Sequence, residues 1–117
     1  MPTDLINVLF ICGKNRWRSQ TAEQMFAGHP DIACASASLS HDVDVAVTGE
    51  LLEWAELIFV MEPEHKDKLS DRFKDHLRGK RVVCLGILDH YKYMDPALVK
   101  LLRIKVPPHL PGGGQVY

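Results

Sequence analysis

Seven residues, Leu5 to Ile11, constrain this chain most. All but Asn7 are apolar, and the run is too short for a buried helix. A strand apolar on both faces belongs inside a parallel sheet, covered above and below. The run stops at Cys12-Gly13-Lys14-Asn15-Arg16-Trp17-Arg18-Ser19, after which Ala22, Met25 and Phe26 recur at helical spacing. A buried strand therefore turns into a helix, predicted over 18–28, through a loop that a cysteine opens and an arginine and a serine close.

The same alternation continues along the chain. Gly28-His29-Pro30 ends the first helix, because proline and the residue before it leave helical angles. Residues 31–37 read as a second strand and 38–47 as a polar connection. Thr48 is suited to cap a short helix through Trp54. A third strand is predicted over 57–61. Glu62-Pro63 opens a helix to about Leu77, with Leu69, Phe73 and Leu77 on its buried face and Glu62–Lys66 and Glu64–Lys68 as surface pairs. A fourth strand over 81–85, a loop over 86–94 and a helix over 95–105 follow, and Pro107-Pro108 stops the last helix. This order predicts an α/β fold: a three-layer sandwich with a four-stranded parallel sheet, helices on both faces and right-handed crossovers. The 117 residues suffice for one domain, with its core over about 5–106 and a loose tail over 107–117 containing Gly112-Gly113-Gly114.

A formal net charge of −1 excludes polyanion binding by bulk charge, and nucleic acid is not expected as a partner. Lys14, Arg16 and Arg18 are therefore a local concentration of positive charge. No apolar run approaches 18 residues, so no membrane span is expected. Met1-Pro2-Thr3-Asp4 lacks the basic start of a signal peptide. The three cysteines, Cys12, Cys34 and Cys84, are odd in number and far apart, which fits a reducing cytosol better than a disulfide framework. Cys34 and Cys84 fall within apolar strands and read as packing residues. No metal is expected, since the six histidines show no ligand spacing with the cysteines, and no cofactor is implied.

The loop suits covalent phosphate chemistry. A helix N-terminus presents unpaired N–H groups and partial positive charge to an oxyanion. The same field favours thiolate, which makes Cys12 the candidate nucleophile. Arg18 can fork onto two phosphate oxygens. Ser19 can hydrogen-bond the sulfur or cap the helix, and Gly13 allows close backbone approach. Lys14, Asn15, Arg16 and Trp17 complete the anion loop, with the Trp17 ring directed outward. Cleavage also needs an acid. Asp89 follows the fourth strand and should project from the same edge as Cys12. Asp95, before Pro96, is the alternative, although that dipeptide is also an ordinary helix start. Tyr91 and Tyr93 are candidate walls of the substrate cleft.

Val8-Leu9-Phe10-Ile11-Cys12, Asn15, Arg18-Ser19 and Ala22-Glu23 resemble the active-site strand, loop and helix of the low-molecular-weight protein tyrosine phosphatases. Ser36-Ala37-Ser38, Ala55 to Met61 and Ile87-Leu88-Asp89-His90-Tyr91 continue the resemblance in the same order. It departs at Lys14, where glycine is usual, at Trp17, where a second cysteine is common, and at His90, which replaces a proline. The chain is also shorter than typical members. The resemblance implies the phosphotyrosine protein phosphatase I-like fold and a phosphomonoester hydrolase with a cysteinyl-phosphate intermediate. Its acid would be Asp89, with Tyr91 the aromatic residue two positions on. The substrate would be a phosphoprotein, a nucleotide or a small phosphate ester; the departures leave tyrosine specificity open, and oligomeric state is not legible. Two other classes share the loop: a thiol-dependent arsenate reductase, which needs further cysteines near the first, and a non-catalytic phosphate-binding module.

Overall fold

The apolar run becomes strand β1 (Ile6–Cys12), and five of its residues, Val8 to Cys12, have no exposed surface. The computed structural model describes residues 5–13, 17–40 and 46–110. Strands β2 (Ile32–Ser38) and β3 (Leu57–Val60) flank β1, and β4 (Arg81–Cys84) lies beyond β3. All pairings are parallel, and Cys12 stands opposite Ser38 at the end of its ladder. The four-stranded parallel sheet expected from the sequence is therefore present, in the order β2-β1-β3-β4.

Successive β1 side chains face opposite layers. Val8, Phe10 and Cys12 join Ala22 and Phe26 of helix α1 (Trp17–Phe26) and Leu98 and Leu102 of helix α4 (Pro96–Lys105). Leu9 and Ile11 join Leu52 of helix α2 (Gly49–Trp54) and Leu69 of helix α3 (Pro63–Phe73). Phe10 stacks on Phe59 at 5.3 Å and on Phe26 at 6.1 Å between ring centroids. Each buried Val, Leu, Ile or Phe side chain here contributes about 1.5–3 kcal/mol, so these two seams hold the layers together. The cap predicted at Thr48 forms, its Oγ1 accepting from the Leu51 N–H at 3.2 Å.

Four details depart from the sequence expectations. Helix α1 stops at Phe26. Helix α3 stops at Phe73, and Lys74–Leu77 tightens into a 3₁₀ turn that keeps Leu77 against the second core. Cys84, expected to be buried, is exposed, because β4 is an edge strand whose two end residues face outward. The tail expected to be loose from 107 instead packs as far as Leu110. Pro107–His109 is a 3₁₀ turn, and the flanking Val106 and Leu110 are apolar residues buried in the first core. The remainder of that expected tail, 111–117, lies outside the described residues. Among the described residues no helix is long and apolar enough to cross a membrane.

From β1 the chain crosses over α1 to β2; from β3 it crosses over α3 to β4, on the other face. The carboxyl ends of β1 and β3 thus flank the point where the winding reverses, where a parallel sheet leaves a crevice.

Candidate active site

Cys12 is the last residue of β1 and is wholly buried. Its Sγ lies 3.1 Å from Ser19 Oγ, the hydrogen bond expected from the sequence. Burial pushes the Cys12 thiol above its ordinary value. The Ser19 hydrogen bonds and the Arg18 charge pull it down by less, and Asp89 adds to the rise. The expectation of a thiol already shifted toward thiolate is therefore corrected: desolvation outweighs the local positive charge.

Among the described residues Arg18 is the most buried charged one, 1% exposed. Its Nη1 donates to the Ile87 carbonyl at 2.6 Å and to Glu62 Oε2 at 2.8 Å. Its Nε is buried and has no hydrogen-bond partner among the described residues. Asp89 Oδ1 lies 3.9 Å from Nε. A guanidinium offers its Nε and one Nη on a shared edge, a fork that matches two oxygens of a phosphate. Here the opposite nitrogen is anchored and the fork is left facing Asp89.

Glu62 follows β3 and begins α3; His65 lies in its first turn. The Glu62 backbone N–H donates to His65 Nδ1 at 3.2 Å, and the His65 N–H donates to the Glu62 carbonyl at 3.0 Å. A ring that accepts at Nδ1 carries its neutral-state proton on Nε2. That nitrogen lies 3.5 Å from Glu62 Oε2. Burial lowers the His65 pKa, the Arg18 and Lys68 charges lower it further, and Glu62 and Glu64 oppose them. Sequence reasoning missed both residues as parts of a site. Glu62, read there as a surface partner of Lys66, instead turns inward to Arg18. The signal available was an acid-x-x-acceptor helix start directly after the third strand.

These groups border a cleft of about 420 Å³, lined by Gly13, Arg18, Leu39, Ser40, Glu62, Glu64, His65, Lys68, Arg72 and Asp89. Ser38 Oγ donates to the Gly13 carbonyl, tying the start of the loop to β2. Arg72 donates to the Leu39 carbonyl at 2.8 Å and fixes the far wall. Lys14, Asn15 and Arg16 lie outside the described residues. Trp17 opens α1 with its ring exposed, as expected, and is not among the cleft-lining residues. Glu62, Glu64 and His65 are near enough together to hold a metal ion, but the Nδ1 of His65 is committed to the Glu62 N–H.

Two expectations resolve differently. Asp89 reaches the cleft, whereas Asp95 caps α4 by accepting from the Ala97 N–H at 2.9 Å. Tyr91 does not line the cleft; its ring is half-buried against the first core, and the loop is drawn there because Met94 N–H donates to Thr21 Oγ1 on α1. Tyr93 borders a separate surface depression beside Gln20 and Glu23.

No protein-family model and no curated protein matches the sequence. Solved structures do match. The tyrosine phosphatase AmsI of Erwinia amylovora is 24% identical, with 86% of this chain and 85% of that one covered and a TM-score of 0.63. The tyrosine phosphatase Wzb of Escherichia coli K30, solved with phosphate, is 22% identical, covering 85% and 91%, with a TM-score of 0.65. An arginine phosphatase, YwlE, was solved as a cysteine-to-serine mutant whose active-site serine is phosphorylated. It is 21% identical, covering 84% and 91%, with a TM-score of 0.60. From β1 through most of its length, then, the chain has the fold of the low-molecular-weight tyrosine and arginine phosphatases.

Proposed function

We propose that this chain is a cysteine-dependent phosphomonoester hydrolase. One observation carries the reading: buried Arg18 lines the cleft with its Nε unpartnered among the described residues, Asp89 beside it and the Cys12–Ser19 pair at the adjoining strand end. The phosphorylated serine that replaces cysteine in the YwlE mutant supports a covalent route.

In this reading the ester's phosphoryl oxygens bind the Arg18 fork and the N–H groups at the start of α1. The Cys12 thiol gives its proton to the Asp89 carboxylate as the anion enters. The thiolate attacks phosphorus, an S–P bond forms, and the P–O bond to the leaving group breaks with its electron pair on that oxygen. Asp89 passes the proton to the leaving oxygen. Water then attacks phosphorus, Asp89 takes its proton, and the S–P pair returns to sulfur, which the Ser19 hydroxyl stabilises. Finally the proton moves from Asp89 back to sulfur. The substrate is a phosphorylated protein, a nucleotide or a small phosphate ester.

The cysteine positions argue against the arsenate-reductase reading. Cys34 pairs with Val8, four residues from Cys12 along β1, about 13 Å away. Cys84 lies two strands from β1, about 10 Å across the sheet. A disulfide needs Cα atoms within about 7 Å.

The deciding experiment mixes wild type and Cys12→Ser with a generic aryl phosphate and with inorganic phosphate. The wild type should turn over and, quenched in acid, carry phosphate on Cys12. The serine variant should bind phosphate without turnover. Full activity in Cys12→Ser overturns the covalent mechanism.

A further inference from the structure

The geometry points to His65 as a positioning residue of the phosphate site, acting through Glu62 on Arg18 and directly on the turn at Gly13. The inference rests on the cleft being a phosphate site.

A planar guanidinium presents its Nε fork to a ligand only if its plane is fixed. Two acceptors fix it here by Nη1 alone, the Ile87 carbonyl after β4 and Glu62 Oε2 at the start of α3. The carbonyl is part of the backbone and stays. The glutamate is a flexible side chain, 18% exposed, and would sample other rotamers. His65 restrains it from both ends: Nδ1 holds the Glu62 N–H, and the Nε2 side lies 3.5 Å from Oε2. The same Nε2 is pressed against the loop, since a Cβ placed on Gly13 would lie 2.9 Å from it. One buried ring thus spans the anchor of the arginine and the first turn of the anion loop. The charged neighbours Arg18, Glu62, Glu64 and Lys68 act on it. A residue that merely capped α3 would need Nδ1 only.

The test compares wild type, His65→Leu and His65→Gln, each well below its own Tm. Its readouts are the Kd for inorganic phosphate and kcat/KM on an aryl phosphate. Leucine fills the space but can neither accept nor donate; glutamine at this helix position supplies both. The expected result is at least a tenfold loss of phosphate affinity and of kcat/KM in His65→Leu. His65→Gln should stay within about threefold of wild type, because a capping acceptor and a donor toward Glu62 are restored. A lower Tm in His65→Leu with unchanged Kd and kcat/KM makes His65 a helix cap only and overturns the inference. Should His65→Leu fail to fold, the wild type decides by nitrogen NMR. Phosphate should shift both the Arg18 Nε–H and the His65 ring resonances, and unmoved His65 resonances overturn it. A wild type that binds phosphate but hydrolyses nothing would sink the phosphatase reading alone, since the affinity and NMR arms still judge His65.

Discussion

Gly13→Ala probes the junction between the anion loop and α3 at a single methyl group. Backbone conformation does not demand glycine there: among the described glycines only Gly79 and Gly86 have positive φ, at 73° and 69°. The obstacle is His65, whose Nε2 would lie 2.9 Å from the new Cβ, with Cδ2 and Cε1 at 3.7 Å. Favourable heavy-atom contact begins near 3.5 Å, so about half an ångström must be found. The ring cannot step back freely, because its Nδ1 accepts from the Glu62 N–H at 3.2 Å. Losing that bond costs about 0.5–1.5 kcal/mol, and overpacking a tight site typically costs about 1–3 kcal/mol. Gly13→Ala should therefore destabilise the protein by about 1–3 kcal/mol and weaken phosphate binding. In a His65→Ala background the same methyl group should cost less than about 0.5 kcal/mol, since the three atoms nearest to it are gone. Urea unfolding of the four proteins in this cycle, with phosphate titrations alongside, gives the coupling directly. An equal cost of Gly13→Ala in both backgrounds would refute the contact and the reason given for glycine.

Arg18→Lys should lower kcat/KM by about a hundredfold or more, as for loss of a preorganised donor, because a point charge replaces a fork held by Nη1. A loss under about threefold in steady-state assays would take Arg18 off the phosphate. Asp89→Asn should slow esters with poor leaving groups by about a hundredfold and spare good ones, whereas Asp95→Asn should be nearly silent, since asparagine caps as well as aspartate. The reverse pattern across a leaving-group series would move the acid to Asp95. His65 has a folded pKa below the ordinary 6.5, so the unfolded chain binds its proton more readily. Its stabilising contribution is full above pH 6.5 and is lost as pH falls toward the folded value; urea midpoints of His65→Gln should lack that decline, and matching acid profiles would exclude His65 as its source. The Cys12 thiol is shifted upward, so its alkylation at neutral pH should be slower than that of a free thiol and should accelerate as pH rises past the ordinary 9.0. Rapid labelling at pH 7 would contradict the dominance of desolvation.

Local chemistry made much of this protein readable from its sequence. Cys12, Arg18 and Ser19 fall within eight residues, and an apolar strand entering a helix defines where they stand. The continuous apolar runs and the helical spacings between them likewise pointed to the parallel sheet and its two helical layers, because a strand apolar on both faces must be covered above and below. Asp89 was reachable by counting strands to the shared carboxyl edge. Only tertiary structure decided the rest. Glu62 is 44 residues from Arg18, and on its own helix it looks like a partner for Lys66. What turns it inward is the adjacency of β1 and β3, which brings a buried guanidinium within 2.8 Å. His65 reads locally as an ordinary helix-start residue; its contact with Gly13 exists only because α3 begins at the same crevice. Tyr91 could not be placed, since the tie from Met94 to Thr21 that draws its loop toward α1 spans 73 residues. The direction of the Cys12 shift was also decided in three dimensions: the sequence shows the positive charges around the thiol, but the burial that outweighs them depends on the whole packed sheet.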